Sequence, residues 1–288
     1  MANFDEYSAL SQVAIRSAAN AFVSDAKLEQ EWRPLRFHNK PQIEQALVEY
    51  ADFRQLLVST GAQLIDLESA DNLTIDSIYT RDSILVSPKG LILCNMGRAS
   101  RTPEAAANAA VYAQLGHTVA GQITSPGTLE GGDFIWLDEH RAAVGLGPRT
   151  NEEGIRQLQD ILGAEVELFV VKLPEPEHPD DVLHLMSIIS PLDKDLALIY
   201  RPFMPQDFIL WLQRQGIAFV DVPEEEYLPM GCNVLAMAPR SVLMLENLPG
   251  VKARLEAEGC TVATYMGLEI SRKGEGGPTC LTRPLQRI

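Results

Sequence analysis

The sequence NVLAMAPRSVLML at residues 233–245 contains two short apolar runs, 233–237 and 241–245, that lie close together in the chain. Runs of this length predict buried β-strands. The segment that follows, residues 248–258, has the pattern of a helix. Two strands and a helix in succession form one unit, and a chain built from such units belongs to the α/β class.

Similar units recur along the whole chain. Other strands are predicted at residues 13–15 and 196–200, and other helices at 41–58, 102–115, after 150, and at 205–215. Helices therefore recur roughly every 50 residues, which gives about five units. This recurrence fits a cyclic arrangement of modules, and it also fits an ordinary open sheet with helices on both faces. Periodicity alone leaves both open.

Several helix details follow from residue types. Thr102 before Pro103 predicts a capped start, and the run at 150–153 has capping-box spacing. The expected buried stripes are Ile43, Leu47, Tyr50 and Leu57 in one helix, and Ile155, Leu158, Ile161 and Leu162 in another. The stiff, polar segment 173–181 predicts a surface loop rather than a domain boundary.

Composition limits the classes of function. The chain has 288 residues, a mass of 31.7 kDa and 46% hydrophobic residues, enough for one large domain or two small ones. Its formal charge of −15 disfavours binding to nucleic acid or to an anionic membrane and suits a small cationic substrate. No secretory signal or membrane-spanning run is evident, so we expect a cytoplasmic protein.

The four cysteines, Cys94, Cys232, Cys260 and Cys280, are widely spaced and form no CxxC motif, which disfavours a zinc site. Cys280 follows the glycine-rich run that begins at Gly274. Glycines allow the backbone to approach a ligand closely, as a nucleophile at the mouth of a cleft requires. The alternative is a buried structural thiol, the commoner fate of a lone cysteine.

One histidine and two pairs of acids are further candidates. His184 lies between leucines, where burial lowers the imidazole pKa unless an acid stands nearby, and it is either an acid/base or a core histidine. His38, His117, His140 and His178 have polar or loop-like surroundings. Glu130 and Asp133 flank two glycines, and Asp76 and Asp82 flank a predicted strand end. Each pair of acids could also face water.

Taken in order, these segments resemble the guanidino-group-modifying enzymes. The likeness runs from about residue 11 to residue 285, is strongest to dimethylarginine dimethylaminohydrolase, and has features of arginine deiminase. Six segments carry it: 76–82, 97–101, 130–133, 147–154, 182–185 and 276–280. The resemblance implies a five-bladed, pseudo-symmetric α/β propeller of ββαβ-type modules, formed as one catalytic domain by residues 1–288.

The resemblance also implies roles. Cys280 matches the attacking thiol, His184 the general acid/base and Glu130 the acid that orients it. Asp82 matches the carboxylate on the guanidinium and Asp76 an acid beside it. Arg101 and Arg149 match the arginines that hold an α-carboxylate, with Gly274 in the substrate-binding set, although both arginines could be surface residues. The implied reaction is hydrolysis of a substituted guanidine through a covalent thiouronium, with neither metal nor organic cofactor.

Two positions depart from the family patterns, one from that of the dimethylargininases and one from that of the deiminases. Arg81 stands where those enzymes tend to have an acid, and Met186 stands where deiminases have an aspartate. An N-methylated arginine is therefore the expected substrate. Arginine deiminase or citrulline hydrolase activity, amidino transfer and a non-catalytic ligand-binding relative remain alternatives. The expected partner is a small cationic amino acid, and a homodimer is left open.

Overall fold

The structure, a computed structural model, describes residues 3–175 and 183–288. Within these ranges the strands form five sheets of three strands each. The strands are β1 (Leu10–Ile15), β2 (Gln63–Asp66), β3 (Ile84–Ser87), β4 (Gly90–Leu93), β5 (Val119–Gln122), β6 (Phe134–Asp138), β7 (Arg141–Leu146), β8 (Glu167–Lys172), β9 (Ile189–Asp193), β10 (Leu196–Ile199), β11 (Ala218–Asp221), β12 (Leu235–Ala238), β13 (Ser241–Leu245), β14 (Thr261–Tyr265) and β15 (Arg283–Arg287).

Helices connect the strands of each sheet. They are α1 (Ala18–Phe22), α2 (Asp25–Glu31), α3 (Ile43–Val58), α4 (Glu104–Gln114), α5 (Glu152–Leu162), α6 (Gln206–Arg214), α7 (Glu224–Tyr227) and α8 (Pro249–Ala257). All the helices predicted from the sequence are present, with bounds that differ by a few residues. In the described residues, none of these helices has the length and apolar character needed to cross a membrane.

Each sheet repeats one module. In the last module, β12 and β13 form an antiparallel pair, α8 follows, and β14 returns parallel to β13 with Ser241 opposite Thr261. A parallel neighbour requires a crossover connection, which the helix supplies. The same order holds for β3–β5, β6–β8 and β9–β11. The cyclic interpretation of the sequence is thus confirmed, and the open-sheet alternative is wrong.

The remaining sheet joins the two ends of the described chain. β1 lies between β15, to which it is antiparallel, and β2, to which it is parallel. Hydrogen bonds also link neighbouring sheets around the ring. They join Arg283 to the Arg81 carbonyl, Trp136 to the Val86 carbonyl, the Leu185 amide to Asp133, Ser190 to the Cys232 carbonyl, and Arg287 to the Ala236 carbonyl. The five modules therefore form a closed propeller.

The helices pack their apolar faces on the sheets. In α5, Ile155, Leu158 and Leu162 are buried as predicted, whereas Ile161 is half-buried. In α3 the predicted stripe is partly wrong, because Leu47 is 42% exposed. Ala46 and Phe53 fill the buried face of that helix instead.

Two predicted caps are also wrong. The Thr102 hydroxyl donates to the Ala99 carbonyl, and α4 begins at Glu104 without a side-chain cap. At α5 the capping side chain belongs to Asn151, which accepts from the Gly154 amide at 2.8 Å. Thr150 precedes the cap and turns its hydroxyl inward. Most of the predicted surface loop 173–181, including His178, lies outside the described residues.

Two leucines of α6 provide a matched test of this packing. Leu212 is fully buried, whereas Leu210 is 45% exposed on the same helix. We expect Leu212→Ala to lower the free energy of unfolding by about 2–5 kcal/mol because it leaves a cavity. Leu210→Ala should change it by less than about 0.5 kcal/mol. Urea denaturation followed by circular dichroism measures both, and equal losses would contradict the packing described.

Candidate active site

The candidate residues lie just before the first strands of different modules. Asp82 precedes β3, Glu130 precedes β6, His184 precedes β9 and Cys280 precedes β15. The ring brings these strand starts to one end of the propeller. One donor atom from each of Asp82, Glu130 and His184 lies within 4.8 Å of the others. Three side chains from three different modules therefore lie together at this end.

Glu130 and His184 form a buried ion pair. The imidazole Nε2 lies 2.8 Å from Oε2 of Glu130, and the two side chains are 5% and 0% exposed. Burial lowers the pKa of His184, but the charges of Asp133 and Asp82 and the hydrogen bond to Glu130 raise it more, to about 9. The imidazole is therefore protonated near neutral pH and can act as an acid.

Glu130 is held as a carboxylate by its surroundings. Burial raises its pKa, but the His184 hydrogen bond and the charges of His184 and Arg149 lower it more, to well below the usual range. The Arg98 amide donates to Oε1 at 3.0 Å, and Nη1 of Arg149 lies 3.4 Å from Oε2. Glu130 thus has cationic or donor groups around both of its oxygens.

Asp82 is fixed by two donors. Nη1 of Arg101 lies 2.6 Å from Oδ2, and the Gly132 amide donates to Oδ1 at 3.0 Å. A Cβ atom on Gly132 would lie 2.7 Å from Nδ1 of His184 and 2.8 Å from Oδ1 of Asp82. Only glycine lets the backbone pass so close to both side chains.

The Cys280 thiol sits at the junction of the site. Asn233 donates from Nδ2 to Sγ at 3.3 Å, and its Oδ1 accepts from the amide and hydroxyl of Thr279. Burial and the charge of Asp82 raise the thiol pKa, with the Asn233 hydrogen bond acting in the opposite sense. Without a ligand, the sulfur is therefore a protonated thiol at neutral pH.

The glycine-rich run before Cys280 is required by close packing. A Cβ on Gly276 would lie 2.1 Å from the Tyr79 ring, and one on Gly277 would lie 2.4 Å from Oδ1 of Asn233. The run does allow a close backbone approach, but to these protein side chains. It thereby sets the position of Cys280.

Two small cavities meet at Cys280 and His184. One, of about 130 Å³, has an apolar part that contains Met186, Leu228 and Met230. The other is narrow, with about 20 Å³ of free space, and is lined by charged and polar groups. These include Asp76, Asp82, Arg98, Arg101, Arg149 and Gly274. Every predicted site residue therefore lies at or beside the same centre.

Arg101 and Arg98 differ in the groups that they contact. Arg101 bonds Glu104 through Nε and Nη2, Asp82 through Nη1, and the Tyr79 carbonyl through Nη2. Each of its nitrogens thus has a protein acceptor, an arrangement that suits a residue positioning Asp82. Arg98, which was not among the predicted site residues, lies 3.0 Å from Asp76 and lines the polar cavity.

Asp82, Glu130 and His184 also form a set of the kind that can hold a metal ion. A metal-binding imidazole must be neutral, whereas that of His184 is stabilised as a cation. The Asp82 and Glu130 oxygens already face Arg101 and Arg149. In this state of protonation the set is therefore poorly suited to a metal ion.

Three residues have supporting roles that the sequence reasoning did not assign. Asp133 is fully buried and accepts from the Leu185 amide at 2.9 Å and from the Thr150 hydroxyl at 2.7 Å. Thr150 also accepts from the Glu130 amide. These bonds join the Glu130 and His184 segments. Asn233, the third, lies just before β12, the first strand of the remaining module. The modular repeat was the one sequence signal for it.

Comparisons with known proteins identify the family. The family model described as "N,N dimethylarginine dimethylhydrolase, eukaryotic" matches residues 19–287. A Pseudomonas aeruginosa N(G),N(G)-dimethylarginine dimethylaminohydrolase is 25% identical over 84% of this chain and 89% of its own length. An arginine deiminase of Mycobacterium marinum is 27% identical over 73% of this chain and 60% of its own.

Solved structures share the fold. The P. aeruginosa enzyme in complex with citrulline superposes with a TM-score of 0.77 at 22% identity, covering 97% of this chain and 100% of that one. An amidinotransferase from Microseira wollei superposes with a TM-score of 0.79 at 18% identity, covering 99% and 97%. The five-bladed α/β propeller expected from the sequence is therefore confirmed.

The Asn233 contact makes a specific prediction about the thiol. Removing the donor in Asn233→Ala should raise the Cys280 pKa, because the hydrogen bond stabilises the thiolate. The rate of iodoacetamide labelling at pH 8 should fall several-fold and its pH profile should move upward. Cys94, Cys232 and Cys260 serve as internal controls in the same mass-spectrometric assay. An unchanged Cys280 profile would contradict the assigned contact.

Proposed function

This chain belongs to the N,N-dimethylarginine dimethylhydrolase family and is an amidine-hydrolysing enzyme, and we propose that it cleaves an N-alkylated arginine with Cys280 as nucleophile. The products are an amine and a ureido amino acid. The observation that carries the proposal is the position of Cys280 and His184 between a cavity with an apolar part and a charged cavity.

A flat cation suits the acids at this junction. A guanidinium presents pairs of N–H groups that carboxylates accept side by side. Asp82 and Glu130 converge from two modules, and both are almost fully buried. Each carboxylate already faces a cation, so a guanidinium would use the lone pairs that remain on the Asp82 and Glu130 oxygens. The overall charge of −15 favours the approach of a cationic ligand.

The groups that line the two cavities suit the two ends of such a substrate, and the polar cavity would widen to admit the amino-acid end. Asp76 can receive an α-ammonium group, and Arg98 and Arg149 supply positive charge for an α-carboxylate. On the other side, Met186 and Met230 offer apolar contacts to an N-alkyl group. Leu228, which is 88% exposed at this mouth, can be covered by the same group.

Substrate binding prepares the nucleophile. Without ligand, burial and Asp82 raise the thiol pKa of Cys280. A bound guanidinium places a positive charge beside the sulfur and neutralises the effect of Asp82, which lowers that pKa. The thiol proton leaves to solvent, and the thiolate forms next to the carbon that it attacks.

The reaction proceeds in two halves. The thiolate forms a C–S bond to the guanidinium carbon, and His184 gives its proton to the departing nitrogen as the C–N bond breaks. This leaves a thiouronium on Cys280 and a neutral imidazole. His184 then takes a proton from water as the oxygen attacks the same carbon. The C–S bond breaks, the thiolate returns, and the ureido product releases its extra proton to solvent.

The nucleophile is tested by a matched pair of cysteine variants. Cys280→Ser should lower the turnover of dimethylarginine by about 10³-fold or more. Cys260→Ser, which changes a thiol outside both cavities, should retain activity within about two-fold. Both are assayed for ureido product and amine, with and without glycine as an amine acceptor. Full activity in Cys280→Ser would contradict the proposal, and an amidinated glycine would assign transfer in place of hydrolysis.

Substrate choice is tested at Met186. This side chain is buried and lines the apolar cavity. Met186→Asp places a carboxylate where an alkyl group is proposed to bind, so it should raise kcat/KM for arginine relative to dimethylarginine by about tenfold or more. Met186→Leu, which stays apolar, should leave the ratio nearly unchanged. A ratio that responds equally to both variants would contradict the assignment of this cavity.

A further inference from the structure

A third cavity, of about 400 Å³, follows β15 away from Cys280. Arg283 and Arg287, at the two ends of this strand, both line it. Phe4, Phe134 and Trp136 form an aromatic wall, with the Phe4 and Trp136 rings 6.3 Å apart. This cavity shares no lining residue with the two catalytic cavities.

Positive charge is in excess beside this cavity. Arg81, Arg283 and Arg287 are each at most 5% exposed. Within the described residues, the one side-chain carboxylate that bonds to any of the three is Glu6, whose Oε2 lies 3.1 Å from Nη1 of Arg81. Asp5, the neighbouring acid, is occupied by the amides of Tyr7 and Ser8. Buried guanidinium groups require acceptors.

Several guanidinium N–H groups of Arg283 and Arg287 have no hydrogen-bond acceptor among the described residues. Arg287 uses Nη1 for the carbonyls of Ser8 and Ala236, while its Nε and Nη2 have no hydrogen-bond partner in residues 3–175 and 183–288. Arg283 uses Nε and Nη2 for the Arg81 carbonyl, which leaves Nη1 for a further acceptor. Nε and Nη2 form one edge of a guanidinium, and this edge matches the two oxygens of a carboxylate or phosphate.

We propose that this cavity binds a small oxyanion, a phosphate or carboxylate group, between Arg283 and Arg287. The anion accepts from Nη1 of Arg283 and from Nε and Nη2 of Arg287, which are buried and unpartnered within the described residues and reach the anion when the guanidinium turns toward the cavity. Its negative charge offsets the positive charge of Arg81, Arg283 and Arg287 that remains after Glu6 is counted. Burial and the charge of Arg81 lower the pKa of both arginines to about 10, so both still carry their charge at neutral pH. The aromatic wall accepts the apolar body of an organic anion.

The three tryptophans offer a direct test. Trp136 lines the cavity, whereas Trp32 and Trp211 do not. Inorganic phosphate and acetate are titrated separately into the wild-type protein at constant ionic strength, with chloride as the balancing ion. The indole N–H signals are followed by NMR. We expect one of the two anions to move the Trp136 signal saturably and to leave those of Trp32 and Trp211 in place.

Variants then locate the anion. Arg287→Gln should weaken binding at least tenfold, whereas Arg156→Gln, on the exposed face of α5, should change it less than twofold. Arg149→Gln should leave it unchanged, because that residue lines the catalytic cavity. Loss of binding in Arg149→Gln would place the anion in the catalytic site and overturn the proposal. No Trp136 shift with 10 mM of either anion, about ten times a typical weak Kd of 1 mM, would also overturn it. The wild-type titration decides the matter even where Arg287→Gln fails to fold.

Discussion

The ion pair between Glu130 and His184 is the interaction on which the site depends. Its members precede the first strands of two consecutive modules, β6 and β9, and meet where these modules pack together. A fully buried carboxylate is costly unless a cation stands beside it. His184, with Arg149 further away, supplies that cation. The pair therefore stabilises both the protonated imidazole and the carboxylate that the proposed reaction uses.

The modular architecture explains how distant residues reach one place. Every module starts with a strand whose leading segment faces the same end of the ring, and each of the five segments contributes a side chain. Asp82, Glu130, His184, Asn233 and Cys280 are these contributions. Their chemistry differs although their positions in the modules are equivalent. The fold fixes where the groups stand, and the residue type at each segment sets the reaction.

Much of this was predictable from the sequence, and the remainder has physical reasons. Short apolar runs and recurring helices predicted about five modules, because buried strands and half-buried helices each require a characteristic spacing of apolar residues. Cys280 and His184 stood out through their flanking residues. The supporting roles of Asn233 and Asp133 could not be assigned, because they arise from contacts with segments about 50 residues away. Thr150 looked like a helix cap, but a buried acid, Asp133, draws its hydroxyl inward.

The most direct measurement is the pKa of His184 in the ligand-free enzyme, followed by the pH dependence of its imidazole signals in NMR. The buried pair predicts titration near pH 9, with the imidazolium present below that value and lost as the pH rises through it. In Glu130→Gln the pKa of His184 should fall, because burial disfavours the imidazolium and the Glu130 carboxylate that offsets this effect is absent. Titration of the wild-type residue at or below the ordinary value of about 6.5 would contradict this account.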